Sequence, residues 1–208
     1  PLAATACFYV LPADLQEHWP IQFLPQALAY VALSLWASFN TGFTTRLGLQ
    51  PSLLQQGLRW GMATGLILGL LDTAVILYLT PWLGFGIGFL RETPHAKFPV
   101  LIMLPWFITF IALFVEINFR GFLLGRLLAI FSTLPTPLAT GLALAVSALA
   151  FSFDPFMVIT FKHLHWIAVW DGAVWGLLWV RLRNLYAPIV AHAVEVVVMY
   201  SIVRTVLG

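Results

Sequence analysis

Long apolar runs separated by short polar or Pro/Gly breaks are the first pattern along this chain. Runs near 21–43, 59–82, 98–119, 137–153, 163–181 and 186–206 each approach the roughly 20 residues that cross a hydrocarbon core at about 1.5 Å per residue. They predict an all-α fold, a polytopic transmembrane bundle of about six spans. After the third run no breaker intervenes until Ser132, Pro135 and Pro137, so a short interfacial helix is expected over 120–131. A similar piece is expected over 47–57. The apolar stretch within residues 1–20 is too short to span. A cleaved signal, a trimmed start and the remnant of an earlier helix all stay open for that N-terminal segment, and 21–208 reads as one transmembrane domain.

Composition agrees with lipid as the solvent. Of 208 residues, 61% are hydrophobic and 9% charged, against about 25% charged in a soluble domain; the mean hydropathy is +0.95. The lipid bilayer is therefore the first expected partner. The net charge of +2 is small and the basic residues stand singly, so nucleic acid is excluded as a partner. One cysteine, Cys7, leaves no internal disulfide and no thiolate metal site. Loops with Arg46 and Arg59, with Arg120 and Arg126, and with Arg181 and Arg183 fall on one side of the bundle, expected to be cytoplasmic. The other side holds Asp14, Glu17, Glu92 and Asp154, together with Arg91, Lys97, Lys162 and Arg204. Trp19, Trp82, Trp106, Trp166 and Trp179 lie near run ends, as belt or core residues.

Ionisable residues within apolar runs each require a reason, because an unpaired charge in a bilayer core is costly. Glu116 and Arg120 stand at i and i+4, on one helix face, and predict an ion pair. His192 and Glu195 share a face of the last run, where they could hydrogen-bond, hold a metal or move a proton. Asp72 and Asp171 have no sequence-local cation. His163 and His165, two apart, point to different helical faces. His95 sits among Glu92 and Lys97 and reads as solvated.

The stretch Val115-Glu116-Ile117-Asn118-Phe119-Arg120-Gly121-Phe122-Leu123-Leu124 resembles the first motif of the CPBP (Abi) intramembrane proteases, the CAAX prenyl protease and bacteriocin-processing family. That motif is E-E-x-x-x-R, often extended as F-R-G-x-L. A second stretch, with Gly172, Gly176, Arg181, Asn184-Leu185, Ala187-Pro188-Ile189 and Ala191-His192-Ala193, is similar to the family's last motif. Ser147-Ala148-Leu149-Ala150-Phe151 resembles the lead-in to the middle motif, F-x-x-x-H. The resemblance implies a CPBP-like helical bundle. It also implies an intramembrane peptide-bond hydrolase, in which the first Glu and the middle His activate water while the last His and an Asn four residues later complete the polar site.

Measured against that pattern, Val115 occupies the first Glu position, Pro155 the middle His position and Val196 the final Asn position. Three of the four expected catalytic groups are missing; Glu116, Arg120 and His192 stay. One expectation is a non-catalytic member serving as a binding, scaffold or assembly subunit among membrane protein partners, with Glu116–Arg120 as a structural clip and Gly172 and Gly176 as a helix-packing seam. A second is an active endopeptidase with a shifted site of Glu116, Asp154, His192 and Glu195, whose O/N donors could hold a divalent metal. A third is a pigment- or quinone-binding subunit, suggested only by the aromatic content and the histidines. No cofactor is selected by spacing.

Overall fold

The computed structural model describes residues 2–208, with the side chains of Trp19, Pro94, His95, Pro105 and Phe107 outside the description. The readings of Trp19 and His95 therefore lie outside the described residues. Among those residues every regular element is a helix. A short α1, Leu2–Tyr9, packs on α2, Trp19–Ser38. Helix α3 runs within Phe43–Trp82; it is regular over Leu54–Ala74 and winds as a π-helix over Val75–Leu79. Helix α4, Ile108–Thr133, is followed by α5, Thr136–Ser152, α6, Pro155–Phe161, α7, Ile167–Leu182, and α8, Tyr186–Leu207.

Helices stand near all six predicted runs, and among the described residues three meet the length and hydropathy of a membrane span: Phe43–Trp82, Ile108–Thr133 and Tyr186–Leu207. A fourth arises if α5 and the following Pro155–Leu164, bent by 53° at their junction, cross as one broken span. Three or four candidate spans are therefore supported among the described residues, and the finer count of six is not. Helix α7 has 16 residues, shorter than a full crossing needs, and Gln22, Pro25 and Gln26 interrupt the apolar run of α2. The outer surface carries large exposed apolar side chains, among them Val31, Ile67, Leu70, Trp82, Leu101 and Trp106, which is how a lipid-facing bundle differs from a soluble one.

The helix expected over 120–131 is present, and the correction there concerns Arg120. That helix is continuous with the third run: α4 carries on through it, changing to π-winding over Ile117–Leu124 and back to α over Gly125–Ile130. Arg120 is 0% exposed and belongs to no loop. Widened turns of this kind leave ladder carbonyls to other partners. Here Ser147 of α5 donates its hydroxyl to the Phe119 carbonyl at 2.9 Å.

Helix α8 lies along α3 as the most extensive helix pairing. The cause is a glycine at every fourth position of α3: Gly57, Gly61, Gly65 and Gly69 are all buried. A Cβ at Gly61 would stand 2.5 Å from the Val190 Cβ, one at Gly65 2.5 Å from the Ala191 carbonyl oxygen, and one at Gly69 2.9 Å from the Glu195 carbonyl oxygen. Backbones this close gain van der Waals contact that apolar lipid cannot match. The stripe ends one turn before Asp72 and so sets that carboxylate against α8.

Candidate functional site

Glu116 closes the α-helical part of α4, Arg120 sits in its π-wound turn, and His192 comes from α8. One carboxylate oxygen joins all three: Glu116 Oε1 is 3.2 Å from Arg120 Nη1 and 2.9 Å from His192 Nδ1. Glu116 and Arg120 are wholly buried and His192 is 6% exposed. The guanidinium lies 4.6 Å from the Phe151 ring centre and 4.9 Å from that of Trp175, where cation–π attraction supplements its single ion pair. The imidazole stacks on Trp175 at 4.3 Å between ring centres, 14° from parallel. Tryptophan, arginine and histidine thus fix one another's planes, and His192 has little freedom to reorient.

The glycines of α7 admit this arrangement. A Cβ on Gly172 would meet Arg120 Nη2 at 2.9 Å and Ala148 Cα at 3.0 Å, and one on Gly176 would meet Leu144 Cδ2 at 2.7 Å. Helices α5 and α7 therefore pack closely enough to bury the guanidinium between them.

A cavity of about 900 Å³ opens beside this group. Its wall is mostly apolar, with Phe119, Phe151, Ile167, Met199 and Val203 among the lining residues; the acids and the imidazole that reach it are Asp154, Asp171, His192 and Glu195. Val115 and Val196 also face it. Glu116 does not line it, because the side chain is turned into the core against Arg120.

Of the four residues of the shifted-site expectation, Asp154, His192 and Glu195 line the same cavity, and each makes its own contacts. Asp154 caps α6, accepting the Phe156 N–H at 3.1 Å and the Gln26 amide at 2.9 Å. Glu195 joins Asp72 and Asp171: one oxygen from each lies within 4.8 Å of the others. Asp72 Oδ1 accepts the Trp170 indole N–H at 3.0 Å, while no N–H or hydroxyl donates to Asp72 Oδ2, Asp171 Oδ1 or Glu195 Oε2; the Asp72 and Glu195 carboxyls lie within hydrogen-bond reach of each other. His165 lies on the Ser152 carbonyl at 3.2 Å, and His163 stacks on Phe85, away from both groups.

Sequence reading missed the three-acid group and the α3 glycine stripe. The stripe had a signal, four glycines at intervals of four, which would have set α3 against a partner helix. The acids had none, since they come from α3, α7 and α8.

In comparison with known proteins, residues 97–198 match the family model described as type II CAAX prenyl endopeptidase Rce1-like. That stretch contains Glu116, Arg120, Asp154, Asp171, His192 and Glu195 and leaves out α3 with Asp72. No curated protein and no solved structure matches the chain.

Proposed function

We propose, for a chain that belongs over residues 97–198 to the Rce1-like family of CAAX prenyl endopeptidases, a non-catalytic role: an integral membrane protein that binds in its cavity without cutting, as a subunit of a larger membrane complex. The observation that carries this reading is the character of the cavity wall. At the positions where the resemblance calls for the water-activating Glu and the final Asn, the residues facing the cavity are Val115 and Val196. The middle His position is Pro155, which begins α6. Peptide hydrolysis needs a proton acceptor within hydrogen-bond reach of the attacking water, and a valine side chain supplies none. The surviving carboxylate, Glu116, is held by Arg120 and His192 and does not line the cavity.

A large apolar cavity kept without its hydrolytic groups suits the capture of an apolar segment from a membrane partner, where burial and shape supply affinity. Two measurements test the reading. Purification from native membranes in mild detergent should recover the chain with partner subunits, and recovery only as a free monomer would count against it. Reconstituted in liposomes with membrane-spanning fluorogenic peptides, the chain should leave them intact. Hydrolysis that disappears in folded Glu116→Gln and His192→Ala variants would overturn the proposal.

A second reading has one observation in its favour: His192, Asp171 and Glu195 line the same cavity, and two close acids with different surroundings can divide acid and base roles. Its signature is peptide hydrolysis lost in Glu195→Gln and kept in Val115→Ala.

A further inference from the structure

Three acids from three helices meet inside the bundle. Asp72 is 0% exposed, Asp171 4% and Glu195 3%, and one oxygen of each falls within 4.8 Å of the other two. Each residue also has a buried oxygen to which no N–H or hydroxyl of the fold donates, Asp72 Oδ2, Asp171 Oδ1 and Glu195 Oε2, and the Asp72 and Glu195 carboxyls lie within hydrogen-bond reach of each other. Buried carboxylates short of donors are strongly disfavoured, and three side by side in a low-dielectric interior call for a shared positive partner. Among the described residues Arg120 does not fill that role by contact, because the carboxylate within salt-bridge range of it is Glu116.

We propose that Asp72, Asp171 and Glu195 form a binding site for a hard divalent cation of the Mg²⁺, Mn²⁺ or Ca²⁺ class. Carboxylate oxygen alone, without nitrogen or sulfur donors, selects such ions. Charge count points the same way. Glu116 and the three acids oppose one guanidinium, so a divalent cation would cancel two of the three surplus negative charges and one proton the third. Access is provided, since Asp171 and Glu195 line the cavity, from which water can complete the coordination shell. Orientation is also prepared: Trp170 holds Asp72 by Oδ1, the outer-shell support that ligating carboxylates usually have. The glycine stripe of α3 fixes the spacing, with Gly69 against the Glu195 backbone. The site does not rest on the non-catalytic reading, and Asp72 lies outside the stretch matched to the family.

Mn²⁺ is the probe. The full chain, purified in detergent and stripped with a chelator, is titrated with Mn²⁺ while free ion is followed by electron paramagnetic resonance. Saturable binding of a single ion per chain is expected, competed by Mg²⁺ or Ca²⁺ and weakened at least about tenfold in both Asp171→Asn and Glu195→Gln. Asp14→Asn, at an exposed acid outside the group, should bind as the parent does. Thermal unfolding in the same samples identifies any variant that fails to fold, and the parent titration is decisive without the variants. Absence of saturable Mn²⁺ binding by the folded parent overturns the proposal and leaves the acids as a proton-sharing group. Binding unchanged in both folded variants overturns it as well.

Discussion

His192 Nδ1 stands 2.9 Å from Glu116 Oε1, and that same oxygen takes Arg120 at 3.2 Å. A single buried atom therefore ties α8 to α4 and neutralises the guanidinium. Removing the carboxylate with Glu116→Leu strands Arg120 without its ion pair, at an expected cost of about 3–5 kcal/mol. The double variant Glu116→Leu/Arg120→Met should recover most of that loss, since no charge is left unpaired. Denaturation in detergent micelles measures both; costs that simply add would refute the coupling.

The glycine stripe of α3 gives a position-specific expectation. Gly65→Ala would force a Cβ to 2.5 Å from the Ala191 carbonyl oxygen, and parting the two helices should cost about 1–3 kcal/mol. Gly141 lies in α5, where an added Cβ would meet nothing within 4 Å, so Gly141→Ala should be neutral or slightly stabilising. Equal unfolding midpoints for the two variants would show that α3 and α8 do not approach as described.

Trp170 anchors the acid group from the side. In Trp170→Phe, Asp72 Oδ1 loses the indole N–H that it accepts at 3.0 Å, leaving a buried carboxylate without that donor; the expected loss is about 1–3 kcal/mol. Asp72→Asn should cost less in the Trp170→Phe background than in the parent. A double-mutant cycle with no interaction energy would dissociate the two residues.

How much of the fold and site is legible in the chain depends on whether a residue's partner lies nearby in sequence. Glu116 and Arg120 are readable as a pair because one helix turn places them on one face. Helix positions are readable because lipid demands long apolar runs, yet hydropathy does not reveal that α7 is short or that α5 and the segment after it meet at a bend. Charge ordinarily marks an exit from the bilayer, which on sequence grounds puts Arg120 in a loop. The π-wound turn of α4, with Phe151, Trp175 and Glu116 around the guanidinium, makes it an interior residue, and those neighbours belong to three helices. Spacing sets His192 beside Glu195, its neighbour on α8. In the fold the two turn to different partners, Glu116 and the Asp72–Asp171 pair, which only tertiary packing brings within reach.

The cavity wall allows the missing chemistry to be tested by restoring it. Val115 and Val196 face the cavity, so Val115→Glu and Val196→Asn would present a proton acceptor and an amide donor there. Pro155 is the first residue of α6, after the Asp154 cap, a place where the proline nitrogen owes no helical hydrogen bond; Pro155→His is therefore compatible with the helix start. Single substitutions should give no peptide hydrolysis, because acid–base groups and oxyanion donors act as a unit. The triple variant should acquire hydrolysis of membrane peptides, and taking the new Glu back out should reduce it about 10²–10⁴-fold, the usual contribution of a placed general base. Liposome assays of the parent, the singles and the triple decide the matter. A folded triple variant as inactive as the parent would mean that the cavity has diverged in shape as well as in chemistry, and that binding was selected on other geometry.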